Sequence, residues 1–225
     1  MKLLPIKQLY QKEKSLDCGP VCVQMILEYF GIKKELSEII AVLDYDQVGT
    51  TIFQNAQIFI QNNIKTVNIN NNPLLFSYNY DKLQANKDNF QKMTNTQVLE
   101  LINQKKEKLE KYSKTLGEME DYLKNGGQIN IKTPQFSEIK SAIDENKPII
   151  ALVFSYREKG IFHHFVIVNG YDTIKDKNDD AVEMVFVTDP SKMGKTGWFP
   201  ASDFIFWLHA STLADIDNGS LLIVG

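Results

Sequence analysis

The chain is poor in the residues that several common chemistries require. It has two cysteines, Cys18 and Cys22, in 225 residues. They lie one helical turn apart, where side chains do not reach bridging geometry without breaking the turn, so no disulfide scaffold is expected. Of the three histidines, His163 and His164 are adjacent and would face opposite sides of a strand. Structural zinc sites draw their cysteines from turns, so no metal is expected from these four residues, and no other cofactor is expected either. Basic excess is also missing, because 25 basic residues meet 28 acidic ones for a net charge of −3. The basic run Lys105-Lys106-Glu107-Lys108 is interleaved with acid and reads as a solvated helix face, so nucleic acid is not an expected partner. No apolar run approaches the roughly 20 residues of a membrane span. Polar residues follow Met1-Lys2-Leu3-Leu4-Pro5 where a signal peptide would have an apolar core. The cytoplasm is therefore the default location, with export as an effector by a signal-independent machine left open.

What is present is an ordinary globular composition, 43% hydrophobic and 24% charged, enough for one sizeable core. No internal repeat is evident. Apolar periodicity predicts helices at Pro20–Phe30, Glu35–Leu43, Thr51–Asn62, Thr94–Asn125 and Phe136–Glu145, with an amphipathic stretch at Ser202–Leu208. β-Branched and aromatic content predicts strands at Ile64–Ile69, Pro148–Tyr156, His163–Tyr171, Val182–Thr188 and Ser220–Val224. Asn70–Asn72 reads as a loop, Lys175–Asp180 as a charged hairpin tip, and Asn125-Gly126-Gly127-Gln128 as the end of the long helix. Helices mostly first and strands mostly afterwards is an α+β arrangement. A single domain over 1–225 is expected, carrying a helical insertion at about 70–133. The long polar helix in that insertion, with Gly117 as a possible break, reads either as a hairpin outside the core or as a lid or partner-binding arm.

The densest chemical signal is Asp17-Cys18-Gly19-Pro20-Val21-Cys22. Pro20 suits a first helical turn and Gly31 suits the left-handed residue after the last, so a helix is bracketed with Cys18 at its positive pole. Unpaired N–H groups and the macrodipole there favour thiolate, the reactive form. Cys22 falls in line with Met25, Ile26 and Tyr29 and reads as core. Downstream, Phe162-His163-His164-Phe165-Val166-Ile167-Val168 reads as a strand buried on both faces. Another strand ends at Asp189-Pro190, where the proline stops the ladder and leaves a carboxylate. A nucleophile, a base and an orienting acid are thus all available. About 146 positions separate Cys18 from His164, within the roughly 130–150 of papain-like enzymes.

Taken together, Gln11, Asp17-Cys18-Gly19-Pro20, His164-Phe165-Val166-Ile167-Val168-Asn169-Gly170-Tyr171-Asp172, Asp189-Pro190, and Ser202-Asp203-Phe204 with Trp207 resemble the C39 and C39-like cysteine peptidases, stand-alone rather than fused to a transporter. The resemblance covers about residues 5–60 and 135–210. It implies a papain-like fold, with N-terminal helices carrying the cysteine packed on a mostly antiparallel C-terminal sheet carrying the histidine and the aspartate. It also implies Cys18 as nucleophile, His164 as general base and acid, Asp189 as its orienter and Gln11 as side-chain oxyanion donor beside the Cys18 N–H. Gln11 lies seven residues before the cysteine where the family keeps about six, and Gln8 lies ten before. The family pattern selects His164 over His163, and His209 reads as structural. The implied partner is a peptide or protein substrate, with double-glycine sequences one possibility. Transfer of the acyl group to an amine or thiol, and a non-catalytic binding role, stay open as alternatives.

Overall fold

Residues 1–43, 49–72, 74–75, 93–157, 160–210 and 215–225 are described by the computed structural model, with the backbone alone described at 155–157 and 160–162. Among them one sheet contains β1 (Lys2–Leu3), β2 (Thr66–Asn70), β3 (Gln128–Ile131), β4 (Ile149–Arg157), β5 (Gly160–Lys175), β6 (Ala181–Thr188), β7 (Gly197–Pro200) and β8 (Leu221–Val224). The strand order is β3-β2-β8-β4-β5-β6-β7, and β1 pairs with β5. Every pairing is antiparallel except that of β2 with β3. The helices are α1 (Cys18–Tyr29), α2 (Leu36–Ala41), α3 (Ile52–Gln61), α4 (Asn95–Lys106), α5 (Ser113–Lys124), α6 (Phe136–Asp144) and α7 (Ala201–His209).

Strict alternation along β4 and β5 builds two cores. Ile150, Leu152, Phe165 and Ile167 join side chains of α1 to α5 on one face. Ile149, Ala151, Val153, Val166 and Val168 join α6 and α7 on the other. Burial on both faces is why these two strands read as unbroken apolar runs. Each fully buried side chain contributes roughly 1.5–3 kcal/mol, so the central strands are the stiffest support in the molecule for anything mounted on them. Four helices start with reciprocal capping boxes, at Glu35/Glu38, Thr51/Gln54, Thr94/Gln97 and Gln135/Glu138, each satisfying two N–H groups that the helix leaves unpaired.

The α+β expectation holds, and the predicted strands and the charged tip between β5 and β6 are present. The long helix is not. The chain leaves α4 at Lys106, makes a 3-10 turn at Glu110–Tyr112 and returns as α5, with Gly117 inside that helix. A straight helix over 94–125 would be about 48 Å long and could not bring both ends to one core. The fold-back buries Val98 and Ile102 of α4 together with Leu116, Met119, Tyr122 and Leu123 of α5. Lys106 pairs with Glu120 across it, and Lys124 pairs with the same carboxylate from within α5. This part of the expected insertion is therefore core rather than an outer hairpin, whereas its residues 76–92 lie outside the described ones. Of the asparagine-rich stretch, Asn70 ends β2 while Asn71 and Asn72 form the predicted loop. Asn68, Asn70 and Asn72 are buried and donate through Nδ2 to the carbonyls of Leu221, Ile216 and Asp215, at 3.2, 3.0 and 2.6 Å.

Candidate functional site

The helix that carries the first candidate begins two residues earlier than its proline suggests. Asp17 is the cap and Cys18 the first helical residue, so Pro20 occupies the third position, where its missing N–H costs nothing. A Cβ at Gly19 would lie 2.4 Å from Thr50 Oγ1 and 2.5 Å from Asn55 Nδ2, so only glycine lets this turn press against the start of α3. At the other end Gly31 adopts φ +78°. Its N–H donates to the Glu28 carbonyl and that of Ile32 to the Leu27 carbonyl, both at 2.9 Å, which closes the helix as a Schellman motif. Both cysteines are free thiols, Cys18 partly accessible and Cys22 buried. Burial, and then the proximity of Cys18 and Asp189, push the Cys22 thiol well above its ordinary range, as suits an inert core residue.

His164 and Asp189 lie on the α7 face of the sheet, His164 within β5 and Asp189 just beyond the end of its neighbour β6. His164 pairs with Val153 of β4, and Asp189 directly follows β6. Asp189 Oδ1 lies 2.7 Å from His164 Nε2 and accepts the Ser191 N–H at 2.7 Å. Burial works against a charge on the imidazole. The hydrogen bond to Asp189, then the hydrogen bond and charge of Cys18, outweigh it and raise the His164 pKa to about 9. With Nε2 held by the carboxylate, Nδ1 is the ring nitrogen left for the thiol. The structure thus brings Cys18, His164 and Asp189 together, from a helix start and two strands that are distant in sequence.

The amino-terminal arm sets the fourth candidate beside them. Leu4 donates its N–H to the Asn169 carbonyl at 2.7 Å and accepts from Asn169 Nδ2 at 3.0 Å, at the bulge that interrupts the β5–β6 ladder. Further on, the Gln11 N–H donates to the Pro190 carbonyl at 2.8 Å. An amide nitrogen has two N–H groups to give, and the two glutamines use theirs differently. Gln8 Nε2 donates to the Asp189 carbonyl at 2.9 Å and to Thr196 Oγ1 at 2.7 Å, which occupies both. Gln11 Nε2 donates to the Ser15 carbonyl at 3.0 Å, which leaves one N–H.

Sequence reasoning missed what holds Asp189. Thr196 Oγ1 accepts the Asp189 N–H at 3.0 Å. A Cβ at Gly194 would fall 1.9 Å from Asp189 Oδ2, so the carboxylate rests directly on that glycine. The only available signal was a glycine-containing turn after Asp189-Pro190, which marks a turn without saying what lies on it. His163 points away from this group. Its ring centroid is 6.4 Å from that of Phe154, and desolvation lowers its pKa although Asp215 acts the other way. His209 lies in α7 with Nε2 3.3 Å from the Pro134 carbonyl. Among the described residues no group of three or more His, Cys, Asp or Glu side chains could hold a metal ion, and no helix is long and apolar enough to cross a membrane.

Residues 3–207 match the family model described as the Peptidase_C39 like family. Similar solved structures include the peptidase domain of Streptococcus ComA, described as a bi-functional ABC transporter involved in quorum sensing. It is 13% identical, with 98% of each chain covered and a TM-score of 0.47. Another is a double glycine motif protease from an AMS/PCAT transporter in complex with its leader peptide. It is 12% identical, with 99% of this chain and 93% of that one covered and a TM-score of 0.46. No curated protein matches.

Proposed function

We propose, from the premise that the chain belongs to the Peptidase_C39 like family, that it is a cysteine peptidase working through Cys18, His164 and Asp189 in one domain. The observation that carries this reading is the buried His164, bonded at 2.7 Å to Asp189 through Nε2, with Cys18 near enough to raise its pKa further. Cys18 Sγ, as thiolate, forms a bond to the carbonyl carbon of the peptide, and the C–N bond breaks as Nδ1–H of His164 gives its proton to the departing amine. Asp189 fixes the tautomer that this transfer requires. The remaining N–H of Gln11 and the backbone N–H of Cys18, unpaired at the first helical position, donate to the oxyanion. Water, deprotonated by the now neutral His164, then cleaves the thioester and frees the thiol.

The test is alkylation of the purified protein by iodoacetamide across pH, with the modified cysteine located by mass spectrometry, followed by digestion of a peptide library. Rapid modification of Cys18 below about pH 7 with Cys22 spared, slowed in His164→Ala, together with library cleavage that Cys18→Ala abolishes, is the expected result. Equal slow labelling of both thiols near the ordinary thiol pKa of ~8.5 would overturn the proposal. Product masses report whether water or an added amine accepts the acyl group.

A further inference from the structure

A cleft of about 460 Å3 opens beside His164 and Asp189 on the α7 face. Its floor is apolar and buried, made by Val153, Val166, Val187 and Phe204, and its mouth carries Met193, Lys195 and Phe206. Met193 and Phe206 are 75% and 71% exposed, so the mouth of the cleft is apolar as its floor is. Of the four site residues, His164 and Asp189 line this cleft and Cys18 and Gln11 do not. That asymmetry identifies which half of a substrate belongs there. In thioester formation the acyl half stays bonded to sulfur with its oxygen at the Gln11 and Cys18 donors. The amine half takes its proton from the imidazole and so departs past His164.

Resting on the peptidase reading above, we infer that this cleft receives an apolar side chain from the residue on the amine side of the bond that is broken. Its position relative to the imidazole gives the direction, and its apolar floor beneath two exposed apolar rim residues gives the chemical class. A pocket of this kind discriminates by roughly 10-fold or more for each methylene it buries, so it selects leucine, isoleucine, methionine or phenylalanine over glycine or charged residues.

The experiment sequences the new amino termini released from a proteome-derived peptide library by the full chain. Enrichment of large apolar residues at that terminus, by about 10-fold over glycine, is expected. Phe206→Asp, at an exposed position where folding is not at stake, should reduce the enrichment several-fold, and Val187→Phe, which fills the floor, should shift it toward smaller residues. Iodoacetamide carries no chain on its leaving side, so alkylation of Cys18 in Phe206→Asp should keep the parent rate. Cleavage with a reactive Cys18 but no selection on the amine side would overturn this inference alone. An unreactive Cys18 and no cleavage would overturn the catalytic reading and this inference with it.

Discussion

The two faces of β5 lead to two buried acids that differ in almost everything but burial. Behind His164 stands Asp189, 8% exposed, and beyond His163 lie Asp215 and Asp217, the latter 3% exposed. Asp189 has the His164 imidazole as its partner and the Ser191 N–H on the same oxygen. Asp217 accepts the Ile52 N–H at 2.9 Å, at the start of α3. Its carboxyl is pushed up to about 7 by burial first and by Asp215 and Glu118 besides. Burial sets the cost of a charge, and the neighbours decide whether it is kept. The first acid lies where it can hold a cation on His164. The second caps a helix and is nearly as stable protonated as ionised.

The sharpest way to break this comparison is to remove each acid in turn. Asp189→Ala leaves His164 buried without its counter-charge, so its pKa should fall from about 9. Peptide cleavage should drop on the order of 10²–10⁴-fold, the range of general acid–base catalysis. Asp217→Asn, which keeps an acceptor for Ile52, should leave cleavage within about 2-fold. NMR titration of the histidines and kcat/KM on one library-derived peptide check both. Equal losses in the two variants would show that the acids serve stability alike.

Stability against pH separates them next. A carboxyl whose folded pKa is raised binds its proton more tightly folded than unfolded, so its contribution falls as pH rises. For Asp217 that loss runs from about pH 4 to about pH 7 and amounts to at most about 4 kcal/mol. Urea unfolding at successive pH values should show this decline in the parent chain and no decline over the same window in Asp217→Asn. A slope that survives the substitution would mean another group carries it.

The difference between the acids also marks how far the chain could be read in advance. Asp189 was legible because a proline ending a β-branched strand announces its position, Cys18 because of its helix-start signals, and His164 because alternation on a strand separates it from His163 and the family pattern then chooses between them. Each of these is a local property. Asp217 was not legible, since nothing near it in sequence shows that the N–H groups of α3 lie above it. The same holds for the Gly194 seat under Asp189, the asparagines that fasten residues 215–221, and β1, β3 and β7. Those strands are two to four residues long and exist only because a longer neighbour supplies their hydrogen bonds. The fold-back between α4 and α5 was expected as a hairpin outside the core with Gly117 as a possible break; that the chain turns after Lys106 and buries both helices was not legible, because helical periodicity continues through Lys106.

His164 gives the next smaller effect, with the sign again worked from its partners. Its folded pKa of about 9 lies above the unfolded value of about 6.5. Its stabilisation is therefore complete below about pH 6.5 and is lost as pH rises to about 9, a change of about 3 kcal/mol. In the proposed mechanism the same proton goes to the leaving amine, so kcat/KM should fall tenfold per unit above about pH 9. A profile already falling at pH 7 would show that Asp189 does not hold the imidazolium in solution.

The smallest effect tests the geometry itself. His163 is one residue from His164, yet alternation turns it to the face where Asp215 lies, and its pKa is lowered by desolvation where that of His164 is raised. His163→Ala should therefore change kcat/KM and the alkylation rate of Cys18 by less than about 2-fold, the scale of a substitution that leaves the reacting groups and their hydrogen bonds in place. His164→Ala should lose both. A large loss from His163→Ala with retention in His164→Ala would place the reacting face of β5 on the side of Asp215, and the roles assigned to the two acids would have to be exchanged.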